Sequence, residues 1–251
     1  MIWGVHPVLE ILKNRPQQVS EVLIHRSTTG VKLQEILRLA ALHGVKISYE
    51  TGPGKAGGHQ QGVKARVAPF ATISLADLIE KGKAATGPEC GPPILLALDC
   101  LQDPNNLGAI IRSALAAGVL GVIMTKDRSA PLSGTVAKAS AGAVARMDIC
   151  RVTNLAAALQ DLKKEGVWVF GLVKDADLAI YQADFSSPVC LVVGGEEKGL
   201  RPLVRQQCDL LVAVPMQSGI DSLNASVAAA VALFEIARQR RSRPPATAKF
   251  P

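Results

Sequence analysis

The chain has 251 residues, with 48% apolar, 20% charged and only 4% aromatic side chains. A soluble chain of this length buries roughly 70–75% of its unfolded surface, so a core needs no disulfide or metal staple, and wholesale disorder is excluded. The formal net charge is +7, and no apolar run approaches the ~18 residues that a membrane helix needs.

The charge is uneven. Residues 1–70 hold nine Lys or Arg, four Asp or Glu and all four histidines. The N-terminal part is therefore a small basic unit, either a face for a polyanion or a solvated basic surface with no partner. Met1–Pro7 has no basic segment followed by an apolar one, so no secretory signal is expected. The five cysteines (Cys90, Cys100, Cys150, Cys190, Cys208) are odd in number and form no C-x-x-C, which points to small buried hydrophobes in a reducing cytoplasm rather than a metal or disulfide framework.

In chain order, the patterning predicts a short helix over His6–Lys13, a strand over Val19–His25 and a helix over Val31–His43, with Leu33, Ile36, Leu37 and Ala40 at helical spacing. Gly44 stops that helix. Strands follow at Val45–Glu50 and Val63–Val67, separated by a Gly-rich loop from Thr51 to Gly62 that carries Lys55, His59, Gln60 and Gln61. Residues 81–93 lack periodicity and are rich in Gly and Pro, as a linker is.

Beyond Pro93, strands and helices alternate. Strands are expected at Ile94–Asp99, Leu120–Thr125, near Met147–Val152, and at Trp168–Leu172, Val189–Gly194 and Leu210–Pro215. Helices are expected at Leu107–Ala117, Ser133–Ala141, Leu155–Glu165 and Ser222–Arg240, with a helical turn after Gly199. Val227, Val231 and Phe234 of the last helix are expected to face a core. Arg238, Arg240, Arg241 and Arg243 place positive charge at its C-terminus, where the helix dipole favours it. Continuous apolar strands alternating with helices imply an α/β domain with a parallel sheet.

Ligands of such sheets bind beyond the C-terminal strand ends. Three loops there carry chemistry. After Asp99 comes Asp103-Pro-Asn-Asn-Leu-Gly-Ala-Ile-Ile-Arg112, in which Asn105 or Asn106 can cap a helix and Arg112 either snorkels to solvent or faces a phosphate. After Val193 comes Gly194-Gly-Glu-Glu-Lys-Gly199, where paired glycines admit a ligand close to the backbone. This is not G-x-G-x-x-G, which argues against a nicotinamide oxidoreductase. After Val214-Pro215, a polar segment leads to Ser222-Leu-Asn-Ala-Ser226 at a helix start, a setting for a cap or for an anion.

Together, Asn106-x-Gly108-x-x-x-Arg112, Gly194-x-Glu196-x-x-Gly199 and Val214-Pro215 with Ser222-Leu223-Asn224-x-Ser226 resemble the SpoU branch of the SPOUT superfamily, the S-adenosylmethionine-dependent RNA ribose 2'-O-methyltransferases. Gly4-x-His6-x-Val8 and His59-Gln-Gln-Gly62-x-x-Ala65 extend the resemblance to the N-terminal unit, in particular to the branch members that methylate a guanosine ribose in 23S rRNA. Asn105 departs from the pattern, where relatives often have His.

The resemblance implies a trefoil-knotted methyltransferase domain with a parallel sheet over residues 94–243. It also implies an L30e-like α/β RNA-binding domain over 1–70, a linker over 71–93 and a tail over 244–251. It implies a homodimer in the cytoplasm with S-adenosylmethionine as cofactor, RNA as substrate (most closely 23S rRNA), and no metal or membrane. Gly194, Val214 and Leu223 would hold the cofactor. Arg112 would act on the ribose, either taking its proton or holding the neighbouring phosphate, with Asn106, Glu196, Ser222 and Asn224 around it. The alternatives are a tRNA ribose 2'-O-methyltransferase and a non-catalytic RNA-binding assembly factor on the same fold.

Overall fold

The computed structural model describes residues 1–50, 62–85, 91–196, 198–217 and 222–241. Lys55, His59, Gln60 and Gln61 of the Gly-rich loop, Cys90, most of the Gly/Pro-rich stretch before Gly91, Arg243 and the tail lie outside them. The elements run β1 (Ile2–Trp3), α1 (Val5–Asn14), β2 (Val19–His25), α2 (Val31–Leu42), β3 (Lys46–Glu50), β4 (Val63–Val67), α3 (Leu75–Ala84), β5 (Ile94–Asp99), α4 (Pro104–Ala117), β6 (Gly121–Thr125), α5 (Gly134–Ala139), β7 (Asp148–Val152), α6 (Leu155–Lys164), β8 (Trp168–Leu172), β9 (Val189–Gly194), α7 (Pro202–Arg205), β10 (Leu210–Val212) and α8 (Ala225–Arg241).

These elements form two compact units. The first comprises Met1–Ala71, Pro104–Arg112 and Ala130–Met147; the second comprises Thr72–Asp103, Ser113–Ser129 and the chain from Asp148 onward.

The first unit contains a four-stranded sheet in the order β1-β4-β2-β3. β4 runs antiparallel to β1 and β2, whereas β2 and β3 are parallel and are joined through α2. Val8, Ile11 and Leu12 of α1 and Ile36 and Ala40 of α2 are fully or almost fully buried with Val22, Ile24, Val63 and Ala65 of the sheet. The segment Ala130–Met147 belongs to this unit. Arg15 donates from Nε to the Ala145 carbonyl at 2.8 Å and from Nη2 to the Met147 carbonyl at 3.4 Å.

The second unit is built on a six-stranded sheet in the order β10-β8-β9-β5-β6-β7, with every neighbouring pair parallel. Leu95, Ala97, Ile123, Val169 and Val192 face a core shared with Leu78 of α3, Leu155, Leu159 and Leu162 of α6, and Val204 of α7. Side chains alternate along a strand, so Leu96, Leu98, Leu191 and Val193 face the other side, and they too are buried. α8 packs on β9. Burial on both faces explains why these strands read as unbroken apolar runs.

Four expectations are corrected. A helix, α3, lies within the segment read as linker; Ser74 and Asp77 cap it reciprocally, and Lys81 near its end pairs with Asp148 at 2.6 Å. α4 begins at Pro104, three residues before the expected start, because proline suits the first helical turn, where its missing N–H costs nothing. α8 begins at Ala225 rather than Ser222. On α8, Val227 and Phe234 are 48% and 46% exposed and Val231 is partly buried; the core side is Ala229, Ala232, Leu233 and Ile236. Both stripes are apolar at helical spacing, so the pattern alone could not choose between them.

The arginines at the end of α8 also do more than answer the helix dipole. Arg240 donates to the carbonyls of Phe185 (3.1 Å), Ser187 (2.9 Å), Pro93 (3.4 Å) and Pro92. Burial lowers its pKa to about 10. Arg238 pairs with the buried Glu235 at 2.8 Å. Cys150 and Cys190 are buried, as expected, while Cys100 and Cys208 are only partly so. Desolvation pushes the Cys208 thiol up to about 12 and the Cys190 thiol higher still.

Candidate active site

Parallel strands end with their C-terminal carbonyls on one edge, and the chain reverses its direction of travel across the sheet between β5 and β9, the usual place for a ligand. A cavity of about 620 Å³ opens beside that point. Three stretches wall it: Leu172–Asp175 after β8, Val193–Leu200 at the end of β9, and Val214 to Ala225 after β10, with Arg205 of α7 and Ala228 of α8 closing the sides (the parts of these stretches outside the described residues excepted).

Gly194, Glu196, Val214, Ser222, Leu223 and Asn224, all singled out in the sequence, line this one cavity. Asn106 and Arg112 do not. Both sit on α4, in the part that belongs to the first unit. Asn106 is nearly buried, and Arg112 is exposed with no hydrogen bond or ion pair to a described residue. The glycine of that motif has a packing reason: a Cβ at Gly108 would collide with Ala139 Cβ and stand 2.9 Å from the Ser140 nitrogen, so α4 and α5 approach closely only without it.

The loop after β9 is tightly folded. The Gly199 N–H donates to the Gly195 carbonyl at 3.0 Å, and Gly199 has φ +60°. A Cβ at Gly194 would run into the backbone of Gly199 and Leu200. Glycine is therefore required for the chain to double back here, and at Gly194 and Gly199 the cavity wall offers main-chain groups. Opposite it, Asn224 closes the first turn of α8: its carbonyl oxygen accepts from the Ser226 N–H at 2.9 Å and the Ser226 hydroxyl at 2.6 Å. Ser222 and Leu223 precede the helix and are exposed toward the opening.

Two ion pairs were not foreseen, one of them in the cavity wall. Arg205 forms a two-pronged bridge to Asp175, Nη1 to Oδ1 and Nη2 to Oδ2, each 3.0 Å. The Arg205 side chain holds the Asp175 carboxyl below its ordinary value. Asp99, fully buried at the end of β5, pairs with Arg201 at 2.7 Å. The Asp99 carboxylate raises the pKa of Arg201. The only sequence signal was a charged residue closing an apolar strand and an arginine just beyond a glycine loop. Among the described residues, no three His, Cys, Asp or Glu side chains gather as a metal site, and no helix is long and apolar enough to cross a membrane.

Comparison with known proteins places these features in context. The model of the SpoU rRNA Methylase family matches residues 93–234, and a model described as RNA 2'-O ribose methyltransferase substrate binding matches residues 1–72. The chain is 43% identical over 246 residues to the 23S rRNA (guanosine-2'-O-)-methyltransferase RlmB of Xanthomonas campestris pv. campestris, covering 95% of this chain and 96% of that one. It is 42% identical over 243 residues to the protein of the same name from Xylella fastidiosa, with 95% and 96% covered. Among solved structures, the SpoU methyltransferase AviRb from Streptomyces viridochromogenes in complex with the cofactor AdoMet superimposes with a TM-score of 0.77 at 25% identity, over 97% of this chain and 91% of that one.

Proposed function

Because the chain belongs to the SpoU rRNA methylase family, we propose that it transfers a methyl group from S-adenosylmethionine to the ribose 2'-OH of a guanosine in 23S rRNA. The observation that carries this reading is the meeting of two of the three motif loops, those after β9 and β10, with the end of β8 on one cavity at the C-terminal edge of a parallel sheet.

The residues present fit the cofactor. The cavity volume lies within the ~300–1,000 Å³ of small-molecule sites. Its wall combines apolar Leu172, Val193, Met216 and Leu223 with backbone groups of the Gly194–Gly199 loop and the charged ends of Lys174, Asp175 and Lys198. That mixture suits a ligand with a flat apolar base at one end and an amino-acid group at the other. Gly194, Val214 and Leu223 would hold it, largely through the main chain. When bound, S-adenosylmethionine supplies an electrophilic methyl group.

The chain's own task is then alignment, which reaches ~7–11 kcal/mol in favourable model reactions. A guanidinium keeps its charge at neutral pH, so we assign Arg112 to the phosphate beside the target ribose and to the charge developing on O2'. Its exposure and its lack of a partner among the described residues support this role. Asn106, on the same helix, would position Arg112, and Glu196, Ser222 and Asn224 would position the nucleotide.

The basic N-terminal unit would bind the RNA through its phosphates. A homodimer is part of the reading, supported by the apolar outer stripe of α8. So are the trefoil knot, supported by Val214, Met216, Ser222 and Asn224 lining the same cavity as the loop after β9, and a cytoplasmic location, where an rRNA substrate is found.

The test is methyl transfer from labelled S-adenosylmethionine to unmodified 23S rRNA, 16S rRNA and bulk tRNA in parallel, with the product position mapped. Label on one 23S guanosine ribose is expected. Label on tRNA overturns the substrate and keeps the chemistry. Absence of both label and cofactor binding favours the silent RNA-binding factor. An Arg112→Ala protein is expected to keep RNA and cofactor binding and to lose turnover.

A further inference from the structure

Asp99 directs both of its carboxylate oxygens and its main-chain carbonyl at a single loop. Its Oδ1 accepts from Nε of Arg201 at 2.8 Å and forms an ion pair with Nη2 at 2.7 Å, and its Oδ2 accepts from the Arg201 backbone N–H at 2.8 Å. Its main-chain carbonyl accepts from the Gly195 N–H at 3.0 Å. One residue at the end of β5 thus grips both ends of the turn that forms the cavity wall, Gly195 at one end and Arg201 at the other.

The neighbouring residue tightens the grip. Cys100 has φ +58°, an uncommon conformation for a residue other than glycine, and a Cβ at Gly195 would stand 2.6 Å from the Cys100 carbonyl oxygen. Such strain persists only where the surroundings over-determine it.

A buried ion pair is weak evidence for stability, since an apolar pair of similar size often serves as well. A carboxylate held at one oxygen by a guanidinium and at the other by the backbone N–H of the same residue does confer one geometry. The loop it grips contains Gly195 and Gly199 and is costly to order, because glycine loses more backbone freedom than any other residue. We propose that Asp99 and Arg201 are positioning residues that preset the Gly195–Gly199 loop for the cofactor, so that the ordering cost is met during folding and not on binding. This inference rests on the reading of the cavity as the S-adenosylmethionine site.

The test compares the full-length protein with its Arg201→Gln and Arg201→Lys variants, and with Asp99→Asn should it fold. Hydrogen exchange at the amides of Gly195 and Gly199, without ligand, reports the loop. The dissociation constant for S-adenosylhomocysteine reports the cavity, and RNA affinity serves as a control. For Arg201→Gln, exchange at the two glycines is expected to accelerate by about tenfold or more while the β5 and β9 amides stay protected. S-adenosylhomocysteine binding is expected to weaken by about tenfold, with RNA binding unchanged. Lysine should restore only part of the effect, because it lacks the planar fork. The KM for the cofactor should rise more than kcat falls.

Affinity within about twofold of the wild type overturns the proposal. So does acceleration spread evenly over the whole sheet, which is the mark of general destabilisation. If the wild type binds no S-adenosylhomocysteine while the loop still loosens on substitution, the functional reading falls and the clamp itself stands.

Discussion

The side-chain oxygen of Asn224 accepts two hydrogen bonds from Ser226, one from its N–H and one from its hydroxyl, and so starts α8 on the rim of the cavity. A residue assigned to the reaction is therefore also a helix cap, and the two roles are separable. Asn224→Ala is expected to lose about 1 kcal/mol of stability with the cap. Asn224→Asp keeps the accepting oxygen and should melt near the wild-type temperature, yet fall in turnover through loss of the amide donor. Thermal melts paired with methyl-transfer rates check this. Equal activity losses in both variants, each tracking the melting temperature, would reduce Asn224 to a cap.

Gly108 admits no side chain between α4 and α5, where Ala139 and the backbone of Ser140 stand. Gly108→Ala overpacks this contact and is expected to cost about 1–3 kcal/mol. Urea denaturation should show a lower midpoint with the slope unchanged. An unshifted midpoint would show that the helices separate freely.

Val227 and Phe234 stand one above the other, two turns apart, on the exposed side of α8. A dimer that covers this stripe loses it to a charge. Under the homodimer reading, the wild type is expected to sediment as a dimer and Phe234→Asp as a monomer at the same concentration, with helix content preserved. A variant that stays dimeric would move the interface elsewhere.

Glu235 is almost buried on α8, and its carboxyl lies below the ordinary value chiefly because Arg238 donates to it, with Gln239 adding a second donor. A carboxyl depressed in the folded state stabilises the fold above its unfolded pKa of about 4.5, and that contribution disappears as pH falls through the lowered folded value. Glu235→Gln should thus be less stable than wild type at pH 6, and the gap should narrow toward pH 3. A constant gap in urea midpoint across this range would show that the carboxylate charge contributes nothing.

Much of the second sheet was readable from sequence for a physical reason. Strands buried on both faces must be apolar throughout, and Ile94–Asp99, Trp168–Leu172 and Val189–Gly194 run as expected. The helix Leu75–Ala84 was hidden because its buried stripe is short and its end merges into a Gly/Pro-rich stretch. The face of α8 was misread because two apolar stripes compete, and only packing on β9 chooses Leu233 and Ile236 over Val227 and Phe234. Arg240 looked like a charge at a helix end; its burial among four carbonyls depends on segments around Pro92 and Phe185 that are remote in the chain.

By itself, the sequence determined the alternation of strands and helices, the basic N-terminal unit and the three loops whose motifs resemble a ribose methyltransferase. These are local properties, written in the period of apolar residues, in the placement of charge and in glycine spacing. The tertiary structure alone decided that Gly194, Glu196, Val214 and Asn224 share one cavity, and that Asp99 meets Arg201 across 102 positions of sequence. Parallel pairing brings strand ends together whatever their separation along the chain, and no local pattern records which ends will meet.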